Sequence, residues 1–268
     1  MKLEPVSAGD DLQLGDKDAA APKDLSKGDE LKKEVNDLLD RLTELQNVFY
    51  ADGRHSLLIV LQGRDASGKD GVVRTVIGAF NPAGVRVTSF KAPTPLELAH
   101  DYLWRVHQVM PEKGMVSVFN RSHYEDVLVV RVHNLVPKPV WSKRYKQIND
   151  FEQMLVENGT VILKFFLHVS RDEQADRMRD RLEDETKKWK FKAGDLDERD
   201  LWDDFTAAYR DVLKKTSTRS APWYVVPADS NKARNYLIAK TIVAALEGLD
   251  LQYPEPKVDL KKELKDLK

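Results

Sequence analysis

Five short apolar runs punctuate the chain, at residues 57–61, 85–90, 116–119, 161–169 and 223–226, and stretches of helical character separate them. Brief strands that are apolar at nearly every position, alternating with helices, predict a parallel sheet covered on both faces. The clearest helices are read at 95–110, 141–157 and 231–249. Ahead of the first strand, Leu31, Val35, Leu38, Leu42, Leu45 and Val48 recur at three- and four-residue spacing, which predicts a helix from residue 28 to about 50 with one buried stripe. That stripe has two candidate covers, the core or a second subunit.

Residues 1–26 carry no periodicity and are rich in Asp, Lys, Ala, Gly and Pro, so they are expected to form a flexible arm. Residues 27–255 form the expected domain, and the charged segment 256–268 a tail. No repeat divides the chain, and 268 residues are compatible with one α/β domain.

Composition narrows the chemistry. The absence of cysteine excludes disulfides, thiol nucleophiles and thiolate-held zinc, leaving oxygen or imidazole for any metal. Forty-three basic residues nearly balance forty-four acidic ones, so no global field attracts nucleic acid or a membrane, and a polyanion would need a local basic groove. With no signal-like start and no span-length apolar run, the expected location is the cytoplasm.

The first strand runs directly into Gly63-Arg64-Asp65-Ala66-Ser67-Gly68-Lys69-Asp70, and a helix-like segment follows. Strand, glycine-bounded loop, lysine and helix form the context of a phosphate loop, in which backbone N–H groups and the helix dipole converge on an anion. Lys69 is placed to set a point charge against the outer phosphate oxygens. Asp70 stands where Ser or Thr usually offers a hydroxyl to magnesium. Asp65 reads either as a turn residue or as a carboxylate near magnesium.

The third strand ends in Asn120-Arg121-Ser122-His123-Tyr124-Glu125-Asp126. Strand carboxyl ends border the ligand crevice of an open parallel sheet, so this cluster is expected to face the loop. Glu125 and Asp126 are candidate metal carboxylates, and Arg121 a phosphate fork that has Glu125 as its alternative partner. His123 reads as structural.

After the fourth strand, Ser170 and Glu173 form a capping-box pattern that starts a helix carrying Arg177, Arg179 and Arg181, followed by Lys187, Lys188, Trp189 and Lys190. Seven acids between Asp172 and Glu185 also permit a plain salt-bridged helix. Arg177 and Arg181, one turn apart, are the candidates to close on a phosphate, within a lid at about 171–200.

Together the strings Gln62-Gly63-Arg64-Asp65-Ala66-Ser67-Gly68-Lys69-Asp70-Gly71, Phe119-Asn120-Arg121-Ser122-His123-Tyr124-Glu125-Asp126-Val127, Lys164-Phe165-Phe166-Leu167-His168, Lys188-Trp189-Lys190-Phe191 and Ala221-Pro222-Trp223-Tyr224 resemble the polyphosphate kinase 2 family over about residues 28–255. The family's core is similar to that of thymidylate kinases. The resemblance implies a three-layer α/β/α sandwich with a parallel P-loop kinase sheet and a helical lid, and transfer between inorganic polyphosphate and a nucleotide. It also implies dependence on Mg2+, with Mn2+ as an alternative, and homo-oligomers of two or four subunits.

Many members of the family carry Asp at the position of Asn120, which leaves Asp65, Glu125 and Asp126 as the expected metal ligands. The resemblance within the Asn120–Asp126 string implies AMP and ADP as acceptors. Trp189 or Phe191 is placed to stack on the base or to serve as a hinge contact. Two rival functions use the same loop, an ATP-dependent nucleoside monophosphate kinase and a regulator that binds without turnover.

Overall fold

A computed structural model describes residues 2–7, 9–186, 188–190 and 194–267. In chain order the described elements are α1 (Gly28–Asp52), β1 (Ser56–Gln62), α2 (Lys69–Thr75), β2 (Val85–Ser89), α3 (Pro95–Leu98), α4 (Trp104–His107) and β3 (Val116–Asn120). Next come α5 (Val129–Val132), α6 (Lys138–Glu157), β4 (Thr160–His168), α7 (Arg171–Glu183), α8 (Gly194–Asp200), α9 (Trp202–Thr216), β5 (Trp223–Pro227), α10 (Asn231–Glu247) and α11 (Leu260–Asp266). The strands form one parallel sheet in the order β2-β3-β1-β4-β5. All five apolar runs are therefore strands, and β1 lies at the centre.

Every residue of β1 is buried, which is why the strand reads as an unbroken apolar run. Leu57, Ile59 and Leu61 pack with α1, α2 and α10 on one face, whereas Leu58 and Val60 pack with α6 and α9 on the other. This alternation builds the three layers. The stripe of α1, including Leu31, Val35, Leu42, Leu45 and Phe49, covers the core, and so decides between the two covers considered for it.

Three expectations are corrected. Residues 95–110 do not form one helix: Asp101 Oδ1 accepts from Leu103 N at 2.9 Å, a side-chain turn that separates α3 from α4. The N-terminal segment is not a flexible arm. Val6 N donates to Trp223 O on the edge strand β5, Asp229 N donates to Ala19 O, and Val6, Leu14, Ala19 and Leu25 are buried. One buried residue every several positions leaves no periodic signature, yet it ties the segment down and covers an exposed sheet edge. Finally, Ser170 caps α7 through Glu173 N, but Glu173 turns to Arg177 rather than reaching back. The tail 256–268 carries the exposed helix α11, with Asp259 as its cap.

Candidate functional site

The loop between β1 and α2 turns on two glycines. Gly68 has φ +96°, in the left-handed region, and a Cβ on Gly63 would lie 2.6 Å from Ser67 Oγ and 2.7 Å from Leu167 O. Ala66 and Arg121 also adopt left-handed backbone, at φ 62° and 61°, a cost borne where the loop and the end of β3 meet. The pairing of β1 with β3 carries Asn120 to Leu61, beside the loop.

A cavity of about 520 Å3 opens over the loop. Asp65, Ala66, Gly68, Lys69 and Asp70 form its floor, Ser89, Phe90 and Lys91 come from the end of β2, Asn120 and Arg121 from the end of β3, and Arg181 and Trp189 from the segment after β4. Among the described residues, four cations thus border one space. Lys91 was missed in the sequence; its signal is its place two residues past the carboxyl end of a strand.

Lys69 is buried, and its Nζ donates to Gly63 O at 2.7 Å and Arg64 O at 3.0 Å, within its own loop. Burial first, then the charge of Arg121, lower its pKa to about 8. Arg121 links the two motifs: Nη2 donates to Asp65 Oδ1 at 2.5 Å and Nη1 to Glu125 Oε2 at 3.2 Å. Burial opposes its charge, but Glu125 and Asp65 outweigh that and raise its pKa. Glu125 also accepts from Gln62 Nε2 at 2.9 Å. Ser67 Oγ is buried and has no partner among the described residues.

Other candidates lie elsewhere than their spacing implied. Asp126 belongs to a separate clamp: Arg144 Nη1 donates to its backbone O at 3.0 Å and Oδ1 at 3.1 Å, and Arg105 Nη2 lies 3.7 Å from Oδ2. Burial pushes its carboxyl up, against the pull of Arg144 and Arg105. Asp65 and Glu125 therefore meet around Arg121, whereas Asp126 is held by α4 and α6. Among the described residues, no three acidic or imidazole side chains gather as a metal cluster.

The Arg64 side chain turns beneath α9, stacking 3.8 Å from the Trp202 ring and donating to Trp202 O at 2.9 Å. Burial lowers its pKa to about 10. Only its backbone serves the loop.

Arg177 Nη1 donates to Ala66 O at 3.0 Å, and Nη2 to Ala228 O at 2.6 Å and Asp229 O at 2.9 Å, so it braces the loop. Gln174 Nε2 adds a bond to Asp65 O at 2.9 Å. Arg181 alone of the predicted arginine pair lines the cavity. Lys188 pairs with Glu185, and Trp189, 77% exposed, donates to Thr186 O. Lys187 and Phe191 lie outside the described residues.

Behind the motif, His123 Nε2 sits 3.2 Å from Glu152 Oε1, Tyr124 Oη donates to the same atom at 2.7 Å, and Lys164 Nζ donates to Glu152 Oε2 at 2.6 Å. All four are fully buried. His123 is structural, and the motif is anchored to β4 and α6 through this network. Lys164 outweighs the burial of Glu152 and holds its carboxyl below the usual range.

A parallel sheet whose central strand feeds a lysine-bearing glycine loop, with cations from the neighbouring strand ends around it, defines a P-loop kinase fold. The chain belongs to the polyphosphate kinase 2 family, whose model matches residues 25–254. It is 57% identical over 216 residues to an AMP/ADP-polyphosphate phosphotransferase of Meiothermus ruber, covering 81% of each chain. It is 45% identical to an ADP-polyphosphate phosphotransferase of Rhodopseudomonas palustris, covering 88% of this chain and 87% of the relative. The crystal structure of polyphosphate kinase 2 from Arthrobacter aurescens TC1 superposes with a TM-score of 0.93 at 40% identity, over 99% of this chain and 98% of that one.

Proposed function

We propose that the protein transfers a phosphoryl group between inorganic polyphosphate and AMP or ADP. The observation that carries this reading is the gathering of Lys69, Lys91, Arg121 and Arg181 around one phosphate-loop cavity. Donor and acceptor are both multiply anionic, and two unit charges about 4 Å apart repel by about 4 kcal/mol at an effective dielectric near 20. Cations on several sides offset that repulsion. In the reaction an acceptor phosphate oxygen attacks the terminal phosphorus of the chain, the bridging P–O bond breaks, and the shortened polyphosphate leaves with the electron pair. In this reading Lys69, Arg121 and Arg181 balance charge on the transferring group. A relative named for AMP and ADP at 57% identity, and one named for ADP at 45%, support the choice of acceptors.

A magnesium ion fits this site as a companion of the phosphates. Magnesium keeps several waters and takes one or two protein carboxylates together with substrate oxygens, so a cluster of three acids is not required. Asp65 and Asp70, which both line the cavity, are the residues that would hold it, and it would supply charge neutralisation there. Glu125 and Asp126 do not line this cavity, and Asp126 is held by Arg144. The test is to give the purified protein magnesium and polyphosphate with AMP or with ADP, and no ATP. ADP and ATP are the expected products, and their absence removes the reading in favour of an ATP-dependent kinase or a binding protein.

A further inference from the structure

Among the described residues, two long cationic side chains, Lys164 and Arg234, are buried almost completely, and they are treated in opposite ways. Lys164 is 0% exposed and has an acid against it, Glu152, at 2.6 Å. Arg234, on the first turn of α10, is 2% exposed, and among the described residues no carboxylate pairs with it. Its partners are neutral amide oxygens of its own helix: Nη1 donates to Asn231 Oδ1 at 2.6 Å, and Nη2 to Asn235 Oδ1 at 2.9 Å. Burial first, then the like charges of Arg177 and Arg74, lower its pKa to about 10. A buried cation without a counter-charge is unfavourable for folding, and a structural role is served as well by an apolar side chain of similar volume.

The position of the group indicates what offsets the cost. A Cβ on Gly68 would lie 1.9 Å from Arg234 Nη1, and a Cβ on Gly71 would lie 2.9 Å from Nη2. The guanidinium is therefore pressed against the Gly68–Gly71 stretch that carries Lys69 and Asp70, where only residues without side chains admit it. Arg177, braced on Ala66 O, approaches the same loop from α7. Two arginines remote in sequence thus back the loop that forms the cavity floor.

We propose that Arg234 is a further cation of the phosphate site, a positioning residue whose missing counter-ion is the phosphate chain held by the loop, and that Gly68 and Gly71 are side-chain-free to let it reach that place. The inference rests on the reading of the loop as a polyphosphate site. It adds that the fold keeps an uncompensated charge behind the loop at the expense of its own stability, so that the site is assembled before the anion arrives.

Calorimetric binding of tripolyphosphate to the full chain tests this directly, alongside the melting temperature of each free protein and steady-state kinetics with polyphosphate. Arg234→Met is expected to weaken tripolyphosphate binding roughly ten- to a hundredfold and to raise KM for polyphosphate with a smaller change in kcat. Its melting temperature without ligand is expected to equal or exceed that of the wild type. Arg234→Lys, which keeps the charge, is expected to recover most of the affinity.

Tripolyphosphate affinity in Arg234→Met within twofold of the wild type overturns the proposal. So does a variant that melts well below the wild type or fails to fold, since that marks a structural tie. A wild type that binds tripolyphosphate but does not transfer from it, with binding lost in Arg234→Met, keeps this inference and removes the proposed reaction. A wild type that transfers, with Arg234→Met unchanged, does the reverse. A wild type that binds no tripolyphosphate removes both.

Discussion

Asn120 Nδ2 donates to Asp70 Oδ1 at 2.8 Å, so the two positions at which the motifs depart from their usual residues are in contact. The amide at 120 supplies a donor to the carboxylate at 70. An aspartate at 120 would instead set two carboxylates against each other, and like charges in such reach disfavour joint ionisation.

Asn120→Asp is accordingly expected to lower stability by about 1 kcal/mol in magnesium-free buffer, the scale left after screening at an exposed carboxylate. Asp70→Asn introduced into that background is expected to recover it. Denaturant unfolding of the two single variants and the double variant checks this, and additive effects would show that the contact carries no coupling.

Lys69→Met is expected to reduce kcat/KM by about 10²- to 10³-fold, the usual loss when one charge-stabilising donor is removed. Because Lys69 is buried and, among the described residues, donates only to carbonyls of its own loop, stability is expected to be unchanged or higher. Kinetics and a melting curve on one preparation decide both halves.

The pH dependence has a defined sign. The pKa of Lys69 in the folded chain, about 8, lies below its ordinary 10.5, so the unfolded chain binds more protons between those values. Any contribution to stability therefore rises with pH across that window, as the penalty for a desolvated ammonium is relieved. Phosphate binding runs the other way, since it needs the charge. Affinity for tripolyphosphate is expected to fall above about pH 8 by up to tenfold per unit, with proton uptake on binding. Binding heats measured in buffers of different ionisation enthalpy from pH 7 to 9 test it, and a flat profile sinks it.

Lys164→Met leaves Glu152 buried with only Tyr124 and His123 beside it. Breaking one side of a buried pair costs about 3–5 kcal/mol, which for a chain of this size lowers the melting temperature by roughly 10 °C. Glu152→Gln added to Lys164→Met is expected to restore part of the loss. A double variant less stable than the single one would disprove the pairing argument.

Arg177 and Arg181 are expected to separate by phenotype. Arg177→Lys removes a fork that joins α7 to Ala66, Ala228 and Asp229, and lowers both stability and activity. Arg181→Lys keeps a charge in the cavity and is expected to change KM by less than tenfold with stability intact. Equal effects on melting temperature would erase the distinction.

What was legible in the sequence was local. The five strands announce themselves because a parallel sheet buried on both faces needs apolar residues at nearly every position. The loop announces itself because a phosphate cradle needs glycines and a lysine at fixed spacing, directly between a strand and a helix. Residues 120–126 could be placed beside it from the rule that ligands gather at strand carboxyl ends.

Side-chain direction was decided only by the tertiary structure. Arg64 belongs to the loop by sequence, yet it is drawn under Trp202, 138 residues away. Adjacent Glu125 and Asp126 part company: one joins Arg121 and Asp65, the other Arg144. Arg177 braces the loop instead of lining its cavity, and Arg234 reaches the loop from the last long helix without any motif to mark it. Backbone chemistry repeats over a few residues and so leaves a pattern in the chain. The partner of a charged side chain is set by which surfaces the packed layers bring together, and that choice among many acids and bases of similar spacing is made only when the sheet and its helices are assembled.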